Sequence, residues 1–300
     1  MKPDLRTLDL NLLKTLDALL DERSVTRAAA RLSLTQPAVS GMLTRLRDNF
    51  GDPLFIRAPH GMVPTLRAQQ LAPVVKQILN DINTLLQPAQ FDPLTADFTF
   101  TLAATDYALK AVVVPFIAAL KVRAPMIRVR VIPVEPERLT TQFEQGKIDL
   151  ALLTPSTTPG DLHSRTLYEE RYVCMLRADH PDARAPLSLD RFCALEHILV
   201  SYEGESFWGV TDDALAKVGR KRRVGLSVSS FLVLPEVLAI SDMIAVVPSR
   251  LASARASICV QEPPVAIHGF TKNMSWHERN HRDPAQQWLR ELLHETSQQA

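Results

Sequence analysis

The 300-residue sequence has no uninterrupted apolar run long enough to cross a membrane, and its first residues carry charges at Asp4, Arg6 and Asp9. A membrane-spanning helix needs about 20 mostly apolar residues, and a secretory signal needs an apolar core of about 7–15 residues. We therefore expect neither a membrane span nor export.

Cysteine is scarce, and Cys174, Cys193 and Cys259 are widely spaced without a Cys-x-x-Cys pair. This argues against a disulfide framework and a structural zinc site, and favours a reducing cytoplasm.

An excess of one charge is also missing, because 34 basic residues face 33 acidic ones and leave a net charge of +1. Any surface that attracts nucleic acid must therefore be local.

Apolar residues make up 46% of the chain and charged residues 22%, which is typical of a globular protein, and the length favours two units. In the first fifty positions the apolar residues recur at helical spacing and predict three short helices. Their stripes are Leu10, Leu13, Leu16 and Leu20; Val25, Ala28, Ala29 and Leu32; and Val39, Leu43 and Leu46. Ser24 and Thr35 stand at N-cap positions of the second and third helices, and Pro37 fits a first helical turn.

Residues 53–57 and 62–63 then predict two short strands joined by a turn. A longer helix follows from 65 to 87, in which Pro73 should bend or break the first turns. Its apolar stripe consists of Leu71, Val75, Ile78, Ile82 and Leu85, and we expect another chain to cover it. Residues 87–93 are predicted to form a hinge.

Beyond the hinge, strand and helix patterns alternate and predict an α/β unit. The predicted strands are 98–103, 127–132, 148–153, 172–176, 197–201, 224–228 and 244–247, and the predicted helices are 107–121, 139–145, 212–218 and 284–296.

The N-terminal pattern favours a helix-turn-helix, with a turn at 33–34 and the third helix presented to a DNA groove. Arginines supply a local basic surface; they are Arg27, Arg31, Arg45, Arg47, Arg57 and Arg67. Periodicity alone would also fit a plain three-helix bundle that does not bind DNA.

Residues 24–50, followed by Gly51-Asp-Pro-Leu-Phe-Ile-Arg57, resemble the N-terminal signature of LysR-type transcriptional regulators. In that signature an alanine-rich helix, Thr-Gln-Pro-Ala-Val-Ser and Leu-Phe-x-Arg occur at these spacings. The resemblance implies major-groove contacts from Gln36, Pro37 and Ser40 and a minor-groove contact from Arg57. The complete set of expected DNA-binding residues is Ser24, Thr26, Arg27, Thr35, Gln36, Pro37, Ser40, Arg45 and Arg57.

Two features depart from the common pattern. Gly41 stands where many relatives have a basic or longer side chain, so one base contact is expected to be absent. The wing ends in Met62-Val-Pro-Thr-Leu-Arg-Ala68, which resembles the subgroup of nodulation and aromatic-degradation regulators.

The resemblance extends more weakly to the end of the chain and implies a sensor of two lobes, like periplasmic binding proteins. The expected division is a winged helix-turn-helix at 1–64, a linker and dimerisation helix at 65–90, and a regulatory domain at 91–300. Within the last, lobe 1 is expected at 91–167 and 268–300 and lobe 2 at 168–267. The chain should cross between the lobes near 167–171 and 258–267.

Strand ends and helix starts converge on a cleft between such lobes, where polar ligands are readily bound. The expected effector-binding residues are Thr105, Asp106, Glu135, Ser201, Phe207, Ser230 and Phe231. The alternative for each hydroxyl or carboxylate before a helix is that it caps that helix. Some members of the subgroup have Pro-His in place of Ser229-Ser230, so their effectors do not transfer.

The resemblance implies a cytoplasmic homodimer or homotetramer that binds double-stranded operator DNA, an aromatic or carboxylate effector, and RNA polymerase. No catalytic residue, metal or cofactor is expected.

Two motifs are similar to those of enzymes. His277-Glu-Arg-Asn-His281 has the HExxH spacing of zinc proteases, but an apolar helical stripe is missing and Pro284 follows closely. Gly204-Glu-Ser-Phe-Trp-Gly209 has one residue too many for a hydrolase elbow. A solute-binding protein would explain the α/β lobes but not residues 1–87.

Overall fold

A computed structural model describes residues 9–59, 61–86, 91–201, 207–252 and 257–299. These fall into two compact units, with the division at residues 89 and 90. Within the described residues no helix combines the length and apolarity that a membrane crossing requires. Residues 87–90 of the expected hinge and residues 204–206 of the elbow-like motif lie outside the described residues.

The N-terminal unit has the predicted order of three helices, a two-stranded wing and a long helix. Its elements are α1 (Leu10–Glu22), α2 (Val25–Leu32), α3 (Gln36–Phe50), β1 (Phe55–Ala58), β2 (Gly61–Pro64) and α4 (Leu66–Leu86). Both predicted caps form, because Ser24 accepts a hydrogen bond from the Arg27 amide and Thr35 accepts one from the Ala38 amide. Local capping chemistry therefore sets where α2 and α3 begin.

The core of this unit comes largely from the predicted stripes, but the stripe of α1 needs correction. Leu13 and Leu16 are buried as expected, whereas Leu10 is 37% exposed and Leu20 is half-buried, and Leu12 and Leu19 face the core instead. Leu12, Leu16, Leu19, Val39 and Leu46 are fully buried in one cluster. The small side chains of α2 face inward in the same cluster, which allows the helices to approach closely.

Two expectations about α4 need correction. The helix continues without a break through Pro73, so a break there was the wrong prediction. The stripe is also divided, because Val75 is buried in the core of its own unit whereas Ile78 is 39% and Leu85 82% exposed. The part of the stripe formed by Leu71 and Val75 therefore packs within its own unit, so it does not wait for a second chain to cover it.

The C-terminal unit contains two five-stranded sheets. The strands are β3 (Thr99–Ala103), β4 (Arg128–Ile132), β5 (Leu150–Leu153), β6 (His163–Glu170), β7 (Tyr172–Arg177), β8 (Glu196–Val200), β9 (Arg223–Val228), β10 (Ile244–Pro248), β11 (Ile258–Gln261) and β12 (Phe270–Trp276). One sheet has the order β4-β3-β5-β12-β6 and the other β11-β7-β10-β8-β9. We call the first sheet with its helices lobe 1 and the second lobe 2.

Helices cover both sheets. They are α5 (Asp106–Ala108), α6 (Val114–Arg123), α7 (Leu139–Glu144), α8 (Leu189–Ala194), α9 (Val210–Lys217), α10 (Leu234–Ala239) and α11 (Pro284–Gln299). A π-helical segment, Leu109–Val113, joins α5 to α6. The core of lobe 1 packs Phe116 and Leu120 of α6 with Leu289 and Leu293 of α11.

The chain passes between the lobes twice. It leaves β6 at Glu170 and enters β7 at Tyr172, then leaves β11 at Gln261 and re-enters lobe 1 at Phe270. Parallel pairs, β3 with β4 and β5 and β8 with β9 and β10, occur beside antiparallel returns. Two crossings give two lobes connected by paired segments, which is a hinge-like arrangement.

Candidate DNA-binding surface and effector cleft

The first turn of α3 exposes the side chains of Gln36, Pro37 and Ser40. Val39 and Leu43 are buried on the opposite side and hold the helix against the core. Helical spacing thus separates an anchored face from an exposed polar one. An exposed helix start of this kind can enter the major groove and offer short polar groups to base edges.

The start of α2 borders the same surface. The Thr26 hydroxyl lies 3.4 Å from Oε1 of Gln36, to which it donates a hydrogen bond. Arg27 is exposed but is held by the Glu22 carboxylate at 3.4 Å. Ser24 is half-buried, and its hydroxyl oxygen already accepts a hydrogen bond from the Arg27 amide. A contact with DNA would therefore have to use the same hydroxyl that caps α2.

Three arginines of this unit make polar contacts within it. Arg47 donates to the carbonyl oxygens of Pro53 (2.8 Å) and Phe55 (3.2 Å), which fastens the wing to α3. Arg31 lies 2.8 Å from the Asp21 carboxylate. Arg45 is exposed and 3.4 Å from the Asp9 carboxylate, in a weak surface pair.

Arg57 lies in β1, opposite Met62 of β2, and is exposed. The wing is positioned by Asp52, which accepts hydrogen bonds from the Leu54 amide (2.7 Å) and from the Thr65 hydroxyl (2.8 Å). The hydrogen bonds of Asp52 therefore fix the two ends of the wing, and Arg57 is exposed on it.

A cavity of about 610 Å³ lies between the two lobes. Lobe 1 contributes Thr105, Tyr107, Leu152, Phe270 and Lys272, and lobe 2 contributes Tyr172, Phe231 and Pro248. The volume suits a small organic molecule, and the walls are mainly apolar and aromatic.

Lys272 is a site residue that sequence analysis missed. It lies in β12 and is only 4% exposed, and its ammonium donates a 2.9 Å hydrogen bond to the Leu152 carbonyl oxygen. Burial lowers the pKa of Lys272 to about 8. The available signal was a single lysine inside the otherwise uncharged strand Phe270–Trp276, because lysine is rarely buried without a function or a partner.

A buried polar network adjoins the cavity. The Tyr107 hydroxyl donates to Glu170 at 2.6 Å and lies 2.9 Å from the Tyr168 hydroxyl. Glu170 also accepts hydrogen bonds from the amide (3.1 Å) and the hydroxyl (2.6 Å) of Ser249 in lobe 2. Burial raises the pKa of Tyr168 to about 12. The network ties a cavity wall to the first crossing.

The expected effector residues are distributed unevenly. Thr105 and Phe231 line the cavity, and Thr105 also caps α5 through the Ala108 amide. Asp106 accepts a 2.6 Å hydrogen bond from the Phe231 amide and so links the two lobes.

Four others lie elsewhere among the described residues. Glu135 is exposed, and its carboxylate lies 3.5 Å from the Arg138 guanidinium. Its two neighbours in the sequence line the cavity, but Glu135 itself does not. Ser230 caps the turn after it by accepting from the Leu232 amide, and Ser201 is half-buried outside the cavity lining. Phe207 is 62% exposed beside a separate depression of lobe 2. Spacing in the sequence identifies residues near the ends of strands, but it does not show whether their side chains point into the cavity or away from it.

The HExxH segment does not form the helix that a zinc protease requires. His277 instead caps a single 3₁₀ turn, Glu278–Asn280. Glu278 and His281 approach His163, but the two imidazole rings are stacked 4.2 Å apart. A metal ion in the plane of one ring would lie outside the plane of the other, so this cluster is a poor metal site as it stands.

Comparison with known proteins agrees with this geometry. Residues 10–69 match the family of bacterial regulatory helix-turn-helix proteins, lysR family, and residues 97–298 match the LysR substrate binding domain. The HTH-type transcriptional activator NagR of Ralstonia sp. is 39% identical, with 99% of this chain and all of that protein covered. The activator NahR of Pseudomonas putida is 38% identical over 97% of this chain and 98% of its own.

Solved structures resemble the whole chain as well. A probable transcriptional regulator, PA0477 of Pseudomonas aeruginosa, is 32% identical with a TM-score of 0.60, over 96% of this chain and 97% of its own. A full-length OxyR variant of the same organism shares the fold at 18% identity, with a TM-score of 0.66 over 97% of this chain and 99% of its own. The chain belongs to the LysR family of transcriptional regulators, which are not enzymes.

Proposed function

We propose that a small effector, an aromatic molecule or a carboxylate, binds in the cavity between the lobes and thereby changes operator binding by the winged helix-turn-helix. The observation that carries this proposal is the 610 Å³ cavity, whose wall includes aromatic side chains from both lobes. A ligand that contacts both lobes binds more tightly to the arrangement of the lobes in which both sets of contacts form, so it favours that arrangement. Such differential affinity is what a regulatory ligand requires.

Operator contacts are assigned by exposure. Gln36, Pro37 and Ser40 are proposed to read the major groove, and Arg57 the minor groove. Five further residues are proposed to contact the DNA phosphate backbone or to position the groups that contact it: Ser24, Thr26, Arg27, Thr35 and Arg45. Ser24 and Thr35 already cap helices, so their contribution is to fix the helix starts and to offer amides near phosphate.

A homodimer or homotetramer is proposed to form through the carboxyl-terminal half of α4. Ile78, Leu85 and Leu86 are exposed apolar side chains on this helix, and such patches mark interfaces. A two-fold assembly also matches two half-sites of an operator. We place the protein in the cytoplasm with RNA polymerase as a further partner. Because NagR and NahR are named activators, activation is the proposed mode.

The proposal is tested by mapping the chromosomal sites that the protein occupies and measuring its affinity for a recovered fragment in solution. We expect the fragment to bind far more tightly than a scrambled fragment of equal length, with an affinity that falls steeply as salt rises. Equal affinity for both fragments would contradict the proposed function. Titrating candidate effectors into the complex then measures the regulatory response.

A further inference from the structure

The cavity wall contains a buried cation, and none of the described residues that line the wall is acidic. Among the described residues that line the cavity, Lys272 is the one charged side chain, and it is 4% exposed. The Glu170 carboxylate accepts hydrogen bonds from Tyr107 and Ser249, and among the described contacts it forms no ion pair with Lys272. Buried charges are normally paired, because removing an ion from water is expensive. Within the described part of the chain, the Lys272 ammonium therefore has no carboxylate partner.

The ammonium group has hydrogen-bonding capacity to spare. It carries three N–H donors, and the structure shows one of them used, toward the Leu152 carbonyl oxygen at 2.9 Å. The register of β12 against β6 shifts between Lys272 and Asn273, and such irregularities often re-aim a side chain beside a site. Phe270, two residues earlier on the same face of β12, also lines the cavity.

Four aromatic rings of the cavity wall lie close to one another, and one of them is near this cation. The Tyr107 ring lies 5.5 Å from Phe270 and 6.4 Å from Phe231, and Tyr172 lies 5.8 Å from Phe270, measured between centroids. The Lys272 ammonium is 5.8 Å from the centre of the Tyr107 ring. Rings at these separations contact one another and form a continuous aromatic wall, against which the ring of a ligand can pack edge-on or offset. The lining thus combines apolar walls, against which the ring of a ligand can pack, with one positively charged group, the Lys272 ammonium.

We propose that Lys272 is the residue that selects an anionic effector, by pairing with the carboxylate of a small aromatic acid bound between the lobes. This inference rests on the proposed effector function and assigns its charge recognition to one side chain. A carboxylate supplies the missing counter-charge and accepts the unused N–H donors, whereas an amide of the same shape brings no charge. The site should therefore discriminate acids from their amides.

The test is calorimetric titration of the full chain with benzoate and phenylacetate, each beside its neutral amide. The variants are Lys272→Met, which keeps the length of the side chain without its charge, and Lys217→Met, which removes an exposed lysine of lobe 2. In the wild type and Lys217→Met we expect at least one acid to bind about tenfold or more tightly than its amide. In Lys272→Met the preference should fall to about twofold or less.

Two results would overturn the inference: no acid preference in the wild type, or a preference retained by Lys272→Met. Operator affinity without any probe, measured on the same samples, separates these results from failure of the proposed function, because a regulator whose effector is neutral still distinguishes operator from scrambled DNA. If Lys272→Met does not fold, Lys272→Gln replaces it, since its amide can still donate to Leu152. Retained acid preference in that variant would equally contradict the inference.

Discussion

The Tyr107 hydroxyl donates a 2.6 Å hydrogen bond to the Glu170 carboxylate, so a cavity wall in lobe 1 is bonded to the last residue before the chain crosses to lobe 2. Glu170 is 4% exposed and is also bonded to Ser249 of lobe 2. A ligand that shifts the Tyr107 ring therefore acts on a group that both lobes share. This gives a physical route from cavity occupancy to lobe arrangement.

The first prediction is that Tyr107→Phe keeps the ring but weakens both stability and the effector response. Glu170 loses one donor in a buried setting, for which we expect about 1–3 kcal/mol of lost unfolding free energy. Urea denaturation measures the loss, and effector-dependent operator affinity measures the response. Tyr172→Phe is the matched control for stability, because its hydroxyl makes no hydrogen bond within the described part of the chain. Equal losses in the two variants would contradict the prediction.

The second prediction compares two glycines of α3, one inside the helix and one at its carboxyl-terminal end. A Cβ at Gly41, inside α3, would have no atom within 4 Å, so Gly41→Ala should stabilise the protein by about 0.5–1 kcal/mol through helix propensity. Gly51 ends α3 at φ +61, where an L side chain is strained. Gly51→Ala should therefore destabilise it by about 1 kcal/mol. Chemical denaturation checks both signs, and changes of the same sign would contradict the argument.

The third prediction concerns the pH dependence of stability that Lys272 causes. Burial lowers its pKa to about 8 from 10.5, so between these pH values the unfolded chain binds more protons than the folded one. Stability must then rise with pH in that window, and the penalty of the buried charge is fully present below about pH 8. Relative to Lys272→Met, the wild type should gain on the order of 3 kcal/mol from pH 7 to pH 11.

The difference between the two proteins isolates Lys272 from other groups near the cavity. Burial raises the pKa of Tyr172 to about 12, and it also raises the pKa of Tyr107. These phenols lower stability at high pH in the wild type and in Lys272→Met alike, so their effect cancels in the comparison. Parallel stability curves for the two proteins would show that the Lys272 charge is not penalised by burial.

The fourth prediction concerns assembly through α4. Ile78→Glu together with Leu85→Glu should reduce the mass measured by sedimentation, because both side chains are exposed within their own unit and charges would disfavour burial against a second copy. Gln70→Glu adds a charge at an exposed polar position of the same helix and serves as the control. Unchanged mass in the double variant would contradict an interface there.

Local chemistry explains why the N-terminal unit was predictable and the cavity was not. Ser24 and Thr35 could be recognised as caps because a cap depends on residues two or three positions away. Lys272 and Tyr107 are 165 positions apart, and only folding brings Lys272 of β12 near the Tyr107 ring of α5. Val75 was expected at an interface because periodicity identifies an apolar face without identifying what covers it.

The fifth prediction separates base recognition from groove recognition. Gln36→Ala removes an exposed amide at the start of α3 and should reduce discrimination between operator and a single-base variant by about 1–3 kcal/mol. Arg57→Ala removes an exposed charge from β1 of the wing and should instead weaken binding across sequences, with a shallower salt dependence. Thr44→Ala, on an exposed position further along α3, is the control and should bind as the wild type does. Fluorescence anisotropy at several salt concentrations distinguishes these outcomes. If Gln36→Ala and Arg57→Ala both match the control, neither α3 nor the wing contacts DNA in the proposed way.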